Sequence, residues 1–132
     1  MDRKAIYDWV KKCYGTEPEY LWQDTPWNAV LRNRESNKWY GIIMTVEESK
    51  LGIPGKQMVD ILDIKCAPDF IGALRQCPGF FPGYHMNKNS WITILLDGTV
   101  PEEKIKNLID LSYQLTLPKR KGKKQNGSPE GK

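Results

Sequence analysis

The strongest constraint on the fold is a series of short segments rich in aromatic and β-branched residues, each bounded by turn-forming residues. Such segments are typical of β-strands. Residues 90–96 are almost entirely apolar or β-branched, which predicts a central strand covered on one face and partly on the other. In the segment of residues 38–46, every second residue is apolar, which predicts one strand face that holds Tyr40, Ile42, Met44 and Val46. The predicted strands cover residues 19–22, 29–32, 38–46, 58–65 and 90–96.

Three other segments carry helix signals. Asp2 is placed to cap a first helix with one apolar stripe, and Gly15 is placed to end it. Pro68 suits the first turn of a short helix, because its fixed φ fits that position and its missing N–H is not needed there. Thr99 and Glu102 form a capping-box pattern that predicts the start of a last helix.

The predicted order of elements is α-β-β-β-β-α-β-α, without an internal repeat. Strands joined by short turns and grouped apart from helices favour an α+β fold, in which an antiparallel β-sheet packs against helices in two layers. A chain of 132 residues is the size of one domain and can bury a core without a metal or a disulfide. We therefore expect a single domain over residues 1–117, followed by a tail over residues 118–132.

Cysteine usage and hydropathy indicate a cellular compartment. Cys13, Cys66 and Cys77 are odd in number and widely spaced, so neither a disulfide framework nor a zinc knuckle is predicted, and a reducing cytoplasm fits best. Uncharged apolar runs are far shorter than the ~20 residues of a membrane span. The charged, amphipathic start predicts no signal peptide.

The positive charge is concentrated at the C-terminus. From Pro118 onward six Lys and Arg residues accompany one Glu, whereas the other 117 residues hold 14 basic and 15 acidic side chains. This tail offers nothing apolar to bury, so we expect it to be disordered. It is either a basic arm for a polyanion such as nucleic acid or a solubilising extension. Its candidate contact residues are Lys119, Arg120, Lys121, Lys123 and Lys124.

Motifs of catalysis are absent from the sequence. It has no Walker A loop, no Gly-x-Ser-x-Gly, no dinucleotide fingerprint and no paired acidic cluster. His85 is the one histidine, and without nearby ligands it predicts no metal site. A nucleophilic pair of His85 with Cys66 or Cys77 stays a minor hypothesis, because such pairs are recognised by geometry. We predict no cofactor, no metal and no enzymatic activity.

The segment from Phe80 to Trp91 is the most informative part of the sequence. It places aromatic side chains, including Tyr84, beside the polar donors of His85, Asn87, Lys88 and Asn89. Aromatic planes beside such donors suit nucleic acid, because bases stack while the donors reach phosphates. The structural interpretation is a loop anchored in the core by its aromatic residues, with His85 and Asn87 satisfying backbone groups.

A second candidate contact surface starts at Lys38. If Tyr40 faces the core, Trp39 must face the other way, and an outward Trp beside Lys38 forms a contact surface. The alternative is that a helix or the tail covers Trp39.

These motifs resemble the MmcQ/YjbR family of small bacterial proteins. The resemblance lies in PGYHMNKNSWITILLDG (residues 82–98), followed by VPEEKIKNLIDLSYQLT, in KWYGIIM (residues 38–44) and in IKCAP (residues 64–68). It covers roughly residues 1–117 and leaves out the basic tail. It implies an α+β, double-wing fold, similar in shape to secretion chaperones and frataxin, and a DNA-binding role.

Two functions follow as hypotheses. The first is a non-enzymatic, cytoplasmic protein that binds DNA weakly and in a salt-dependent manner, through Lys38, Trp39, Tyr84, His85, Asn87 and Lys88 and the basic tail. The second is a protein-interaction or chaperone-like module that uses an exposed sheet face with Trp39 and Trp91 as anchors. No membrane partner is expected in either case.

Overall fold

The computed structural model describes residues 1–119, and the rest of the basic tail lies outside this range, with the predicted contact residues Arg120, Lys121, Lys123 and Lys124. The described chain folds into an antiparallel sheet with helices, so the predicted α+β fold class is confirmed. The helices are α1 (Arg3–Tyr14), α2 (Pro68–Leu74) and α3 (Glu102–Leu115). The strands are β1 (Ala29–Arg32), β2 (Trp39–Glu47), β3 (Met58–Lys65), β4 (Phe80–Pro82) and β5 (Trp91–Leu95), and a short 3-10 helix occupies Glu48–Leu51.

The five strands form one sheet in the order β1-β2-β3-β5-β4, with every neighbouring pair antiparallel. The long β2–β3 and β3–β5 pairings form its centre, as expected for the apolar segment around β5. All five residues of β5 are buried. Strand order therefore leaves β1 and β4 as the two edges.

One face of the sheet carries all three helices. Their buried side chains include Ile6 of α1, Ile71 of α2 and Ile109 of α3, and they pack on sheet residues such as Leu62 and Ile92. Burial of aliphatic side chains of this size stabilises a fold by about 1.5–3 kcal/mol each. We call this the helix face of the sheet.

Helix α1 begins and ends where the sequence predicts. The Asp2 carboxylate accepts a hydrogen bond of 2.9 Å from the Ala5 amide, which satisfies one of the free N–H groups of the first turn. Gly15 follows the helix with φ of 69°, a left-handed conformation that glycine adopts without steric cost.

Two predicted elements differ in the structure. Residues 19–22 form only an isolated bridge between Glu19 and Val30 and no strand, although they are aromatic in composition. Conversely, Phe80–Pro82 forms strand β4 within a segment predicted as a loop, because β5 offers a free edge there. The observed order is thus α-β-β-β-α-β-β-α.

The last helix starts later than its capping box indicates. The Thr99 amide bonds to the Asp97 carboxylate in a turn, and Pro101 occupies the N-cap position without a side-chain cap. The Pro101 carbonyl accepts the first helical bond, from the Ile105 amide. Thr99 therefore belongs to the β5–α3 turn, and its predicted capping role is wrong.

Tyr40 does not share a face with Ile42, Met44 and Val46 as predicted, because β2 contains a bulge. Arg32 pairs with Trp39 and Leu31 pairs with Gly41, so Tyr40 is an extra residue. The bulge turns Tyr40 to the helix face, and leaves Ile42, Met44 and Val46 on the opposite face without it.

Ser112 of α3 holds this bulge. Its hydroxyl donates to the Tyr40 carbonyl at 2.6 Å and accepts from the Lys65 amide at 2.9 Å. Because of the bulge, the Tyr40 carbonyl and the Lys65 amide do not bond to each other's strand in the regular antiparallel pattern. Ser112, which bonds to both groups, is fully buried. The bulge and α3 therefore depend on each other.

Candidate ligand groove

The face of the sheet opposite the helices carries a second apolar cluster and an open groove. Ile42, Met44 and Val46 of β2 form the groove floor, and the cavity has a volume of about 670 Å³. Its walls come from connecting segments, from the start of β2 and from the 3-10 helix, which contributes Lys50. Concave apolar sites of this size with few polar groups are typical of ligand pockets.

One wall consists of tryptophan side chains. Trp22 and Trp27 come from the segment between α1 and β1, and Trp39 comes from the start of β2. Trp22 packs edge-on against Trp39, with ring centroids 6.0 Å apart. Trp22 is 36 % exposed and Trp27 is 46 % exposed, which is unusual for side chains of this size. We call the whole cavity the Trp groove.

Polar contacts fix the segment that carries Trp27. The Arg3 guanidinium donates to the Trp27 carbonyl, to Thr45 Oγ1 at 2.6 Å and to Asp60 Oδ1 at 3.2 Å. The Asn28 side chain, just before the first residue of β1, accepts a hydrogen bond from the Thr45 amide at 3.0 Å. This bond continues the pairing of β2 past the start of β1. The tryptophan wall is thus tied to α1, β2 and β3.

The other wall is formed by residues 83–90, which we call the Tyr84 segment. Tyr84, His85 and Met86 line the groove. The rings of Tyr84 and His85 are stacked, with centroids 4.0 Å apart and planes 18° apart. His85 is exposed and has φ of 59°, so this non-glycine residue adopts the left-handed region. The stack presents a continuous aromatic edge to the groove.

Asn87 and Lys88 bond within the Tyr84 segment itself. The Asn87 side-chain oxygen accepts a hydrogen bond from the Asn89 amide at 2.9 Å. The Asn87 backbone carbonyl accepts one from the Trp91 amide at 2.9 Å. The Lys88 ammonium donates to the Gly83 carbonyl at 3.0 Å. In this structure both residues shape the segment, while Tyr84 and His85 face the groove.

Two further predicted contact residues, Lys38 and Lys119, do not line the groove. Lys38 is exposed beside Trp39. The end of α3 reaches the turn between β1 and β2, because the Asn33 amide group bonds to Thr116 Oγ1 at 3.3 Å. Lys119 is exposed just beyond it. Lys119 therefore follows by three positions a residue that bonds to the turn between β1 and β2.

A buried carboxyl group lies beneath the Tyr84 segment. Asp63 of β3 is fully buried, and its Oδ1 accepts from Thr93 Oγ1 at 2.5 Å. Its Oδ2 has no hydrogen-bond partner among residues 1–119. The Tyr84 amide donates to the same Thr93 hydroxyl at 2.8 Å. Burial raises the pKa of Asp63 to about 7, although Thr93, the Tyr84 backbone and the Lys88 charge oppose the shift.

The minor hypothesis of a Cys/His nucleophile finds no geometric support. Cys66 is buried in the core of the helix face, where burial raises the pKa of its thiol, and Cys77 packs against the same core. His85 lines the groove on the opposite face. Among residues 1–119 no group of His, Cys, Asp and Glu side chains is arranged to hold a metal ion. Within that range, too, no helix has both the length and the hydropathy needed to cross a bilayer.

Several groove residues were missed by sequence reasoning. Trp22 and Trp27 were not singled out, because nothing local predicts that they meet Trp39. Trp91, proposed as an exposed anchor, is only 8 % exposed and belongs to the core under the groove. A carboxylate inside the apolar segment of β3 was a usable signal for Asp63.

Comparisons with known proteins identify relatives over most of the chain. The chain is 46 % identical over 116 residues to the uncharacterized protein YyaQ of Bacillus subtilis (strain 168), covering 88 % of this chain and 98 % of that protein. It is 38 % identical over 66 residues to the uncharacterized protein YjbR of Escherichia coli (strain K12), covering 47 % of this chain and 56 % of that protein.

Solved structures agree with this relationship. A crystal structure of a protein from Pseudomonas syringae matches with a TM-score of 0.86 and 42 % identity, over 88 % of this chain and 99 % of that one. The fold is also similar to protein DR2400 of Deinococcus radiodurans, with a TM-score of 0.60, 24 % identity and coverage of 89 % and 78 %. None of these matches indicates a catalytic activity. Since the YjbR family model matches residues 11–115, the chain belongs to the YjbR family, as its motifs predict.

Proposed function

We propose that this protein is a non-enzymatic binding protein for single-stranded nucleic acid, and for DNA in the first instance. The observation that carries the proposal is the convergence of Trp22, Trp27 and Trp39 on one open groove. Unpaired bases would stack on these indoles while the basic tail neutralises phosphates.

The exposed indoles support stacking. Each base has an apolar planar face, and stacking on an aromatic side chain contributes about 1–3 kcal/mol per base. A concave groove of about 670 Å³ suits splayed bases, whereas a duplex keeps its base faces stacked inside. The proposal therefore refines the DNA-binding hypothesis towards unpaired strands.

The charge distribution assigns a separate role to the tail. Five of the 20 basic residues, but only one of the 16 acidic residues, lie in residues 120–132, so the described domain is electrically balanced. Lys119 is exposed three residues after Thr116, which bonds to Asn33 in the turn between β1 and β2. Attraction to phosphates would then come from Lys38, Lys119 and the tail, and base contact from the groove.

The predicted contact residues divide in the same way. Trp39, Tyr84 and His85 would contact the ligand, because they line the groove. Asn87 and Lys88 would act by holding the Tyr84 segment in place. In the proposed non-enzymatic role, the aromatic and thioether side chains of the lining supply the binding surface. The cytoplasm suits the three free cysteines.

One observation favours a second candidate, a protein-interaction module. Met44, Met58 and Met86 also line the groove. Flexible thioether side chains are typical of surfaces that accept apolar protein segments. Such an interaction would draw on apolar burial, and salt would not weaken it as it weakens phosphate contacts.

Fluorescence anisotropy of a labelled single-stranded oligonucleotide tests the proposal. Trp22→Ala should weaken binding by at least about fivefold, because one stacking partner is lost. Phe70→Ala is the matched control, since Phe70 is 55 % exposed on α2 and does not line the groove. Equal effects of the two variants would contradict stacking in the groove.

A salt titration of the same assay tests the role of the tail. Five phosphate contacts by Lys119, Arg120, Lys121, Lys123 and Lys124 would lower affinity about 100-fold between 50 and 200 mM salt. A chain ending at Lys119 should lose most of this dependence and keep its sensitivity to Trp22→Ala. Binding that depends on the tail alone, with no contribution of Trp22, would instead favour a protein segment as ligand of the groove.

A further inference from the structure

The Tyr84 segment rests on a buried carboxyl group whose hydrogen bonds are incomplete. Asp63 lies between Ile42 of β2 and Thr93 of β5 in the sheet, on the face that carries the groove. Its Oδ1 accepts a hydrogen bond from Thr93, and its buried Oδ2 has no partner within the described part of the chain. Buried polar atoms are almost always paired, so such an exception points to a function.

We propose that Asp63 is a proton-operated latch for the Tyr84 segment: the protonated carboxyl holds this wall of the Trp groove closed, and its ionisation releases it. The proposal concerns the wall itself and adds regulation to the proposed binding site. It stands independently of which ligand the groove takes.

The geometry provides the coupling. Thr93 Oγ1 links Asp63 directly to the Tyr84 amide, so one hydroxyl connects the carboxyl to the wall. Gly83 lets the backbone lie against β5, where an added Cβ would come within 2.9 Å of the Trp91 carbonyl oxygen. The wall thus lies against β5 at Gly83, and Tyr84 and Met86 pack on the apolar cluster of the groove floor. Thr93, which holds the Tyr84 amide, bonds to the Asp63 carboxyl as well.

Desolvation determines whether ionisation of Asp63 opens or closes the wall. An ionised carboxylate with an unpaired oxygen is costly in a dry site, whereas a neutral carboxyl is tolerated. Lifting the Tyr84 segment would hydrate Oδ2 or free the Lys88 ammonium to approach it. Ionisation therefore favours the open wall.

The groups around Asp63 are few. β2 and β5 present the neutral Ile42 and Thr93, and the Tyr84 segment presents the Tyr84 amide and the charge of Lys88. His85 stacks on Tyr84 in the same segment, and histidine is the usual proton switch near neutral pH. A test must therefore separate Asp63 from His85.

Amide hydrogen exchange of Tyr84, measured by NMR on the full chain without ligand, separates them. With the pKa of Asp63 at about 7 in the closed state and near 4 in the open state, the protection factor should fall about 50-fold between pH 5 and pH 7 and level off above. Asp63→Asn should abolish this fall, and His85→Gln should retain it.

A second variant keeps the test decisive if Asp63→Asn does not fold. Lys88→Met removes the cation that favours the ionised carboxyl, so the fall should continue to a higher pH. A protection factor that does not change with pH in the natural chain would overturn the latch. So would a fall that persists in Asp63→Asn or disappears in His85→Gln. Because no nucleic acid is present, these outcomes do not depend on the proposed function.

Discussion

Replacing Asp63 by Asn removes a buried group whose charge opposes folding at neutral pH. The side chain is fully buried, one of its oxygens has no partner among the residues that the structure describes, and burial raises its pKa to about 7. Asparagine has nearly the same shape and can still accept the hydrogen bond from Thr93. The substitution therefore isolates the effect of ionisation.

The sign of the pH dependence follows from proton binding. Between about pH 4 and pH 7 the folded protein keeps the Asp63 proton, whereas the unfolded chain has released it. Stability therefore falls as pH rises through this window. For a folded-state pKa of about 7, the free energy of unfolding drops by about 2.5 kcal/mol between pH 5 and pH 8 on account of this group.

Urea unfolding, followed by tryptophan fluorescence at pH 5, 6, 7 and 8, measures this difference. The natural chain should lose about 2.5 kcal/mol more than Asp63→Asn over the range. Other titrating groups contribute equally to both proteins and cancel in the comparison. Parallel stability profiles for the two proteins would refute the assignment of a raised pKa to Asp63.

Further predictions concern the bulge and the seat of the Tyr84 segment. Ser112→Ala should lower the free energy of unfolding by about 2–4 kcal/mol, because it leaves the Tyr40 carbonyl and the Lys65 amide buried and unpaired; a loss below 1 kcal/mol in urea titration would contradict this role. Gly83→Ala should destabilise by about 1–3 kcal/mol through its clash with β5, whereas Gly72→Ala, in open space on α2, should be neutral or stabilising by up to about 1 kcal/mol; a reversed order in thermal unfolding would refute the close approach of Gly83.

Elements with local signals were predicted well from the sequence. Helix α1 has both of its boundary residues, Asp2 and Gly15, next to its apolar stripe, so its bounds follow from neighbouring residues alone. Strand β5 is apolar on both faces and was predicted as central for that reason. In both cases the information lies within the element.

Features that depend on distant residues were not predictable in this way. The side change at Tyr40 requires the bulge, and Ser112, which satisfies that bulge, lies 72 positions away. Residues 19–22 have strand-like composition, yet only Glu19 pairs with β1. Alternation along one strand cannot report either effect, because both are decided by tertiary packing.

The groove residues also fall into two groups, those predicted from local sequence and those brought in by tertiary packing. Trp39 and the Tyr84–His85 pair were predicted as contact residues from their local sequence, and the structure places them at one groove. Trp22 and Trp27 join them only through a connecting segment that Arg3 of α1 fixes. The contribution of Trp22 and Trp27 to the groove therefore could not be predicted from the sequence without the fold.

The indole N–H signals in a two-dimensional NMR spectrum show directly whether bases stack on the tryptophans of the Trp groove. The five tryptophans report separately, and Trp9 on the helix face is an internal control. On titration of the full chain with a single-stranded oligonucleotide, we expect shifts of the Trp22, Trp27 and Trp39 signals, an unchanged Trp9 signal, and much weaker effects with a duplex. Binding without movement of these three signals, or equal movement of Trp9, would contradict base stacking in the Trp groove.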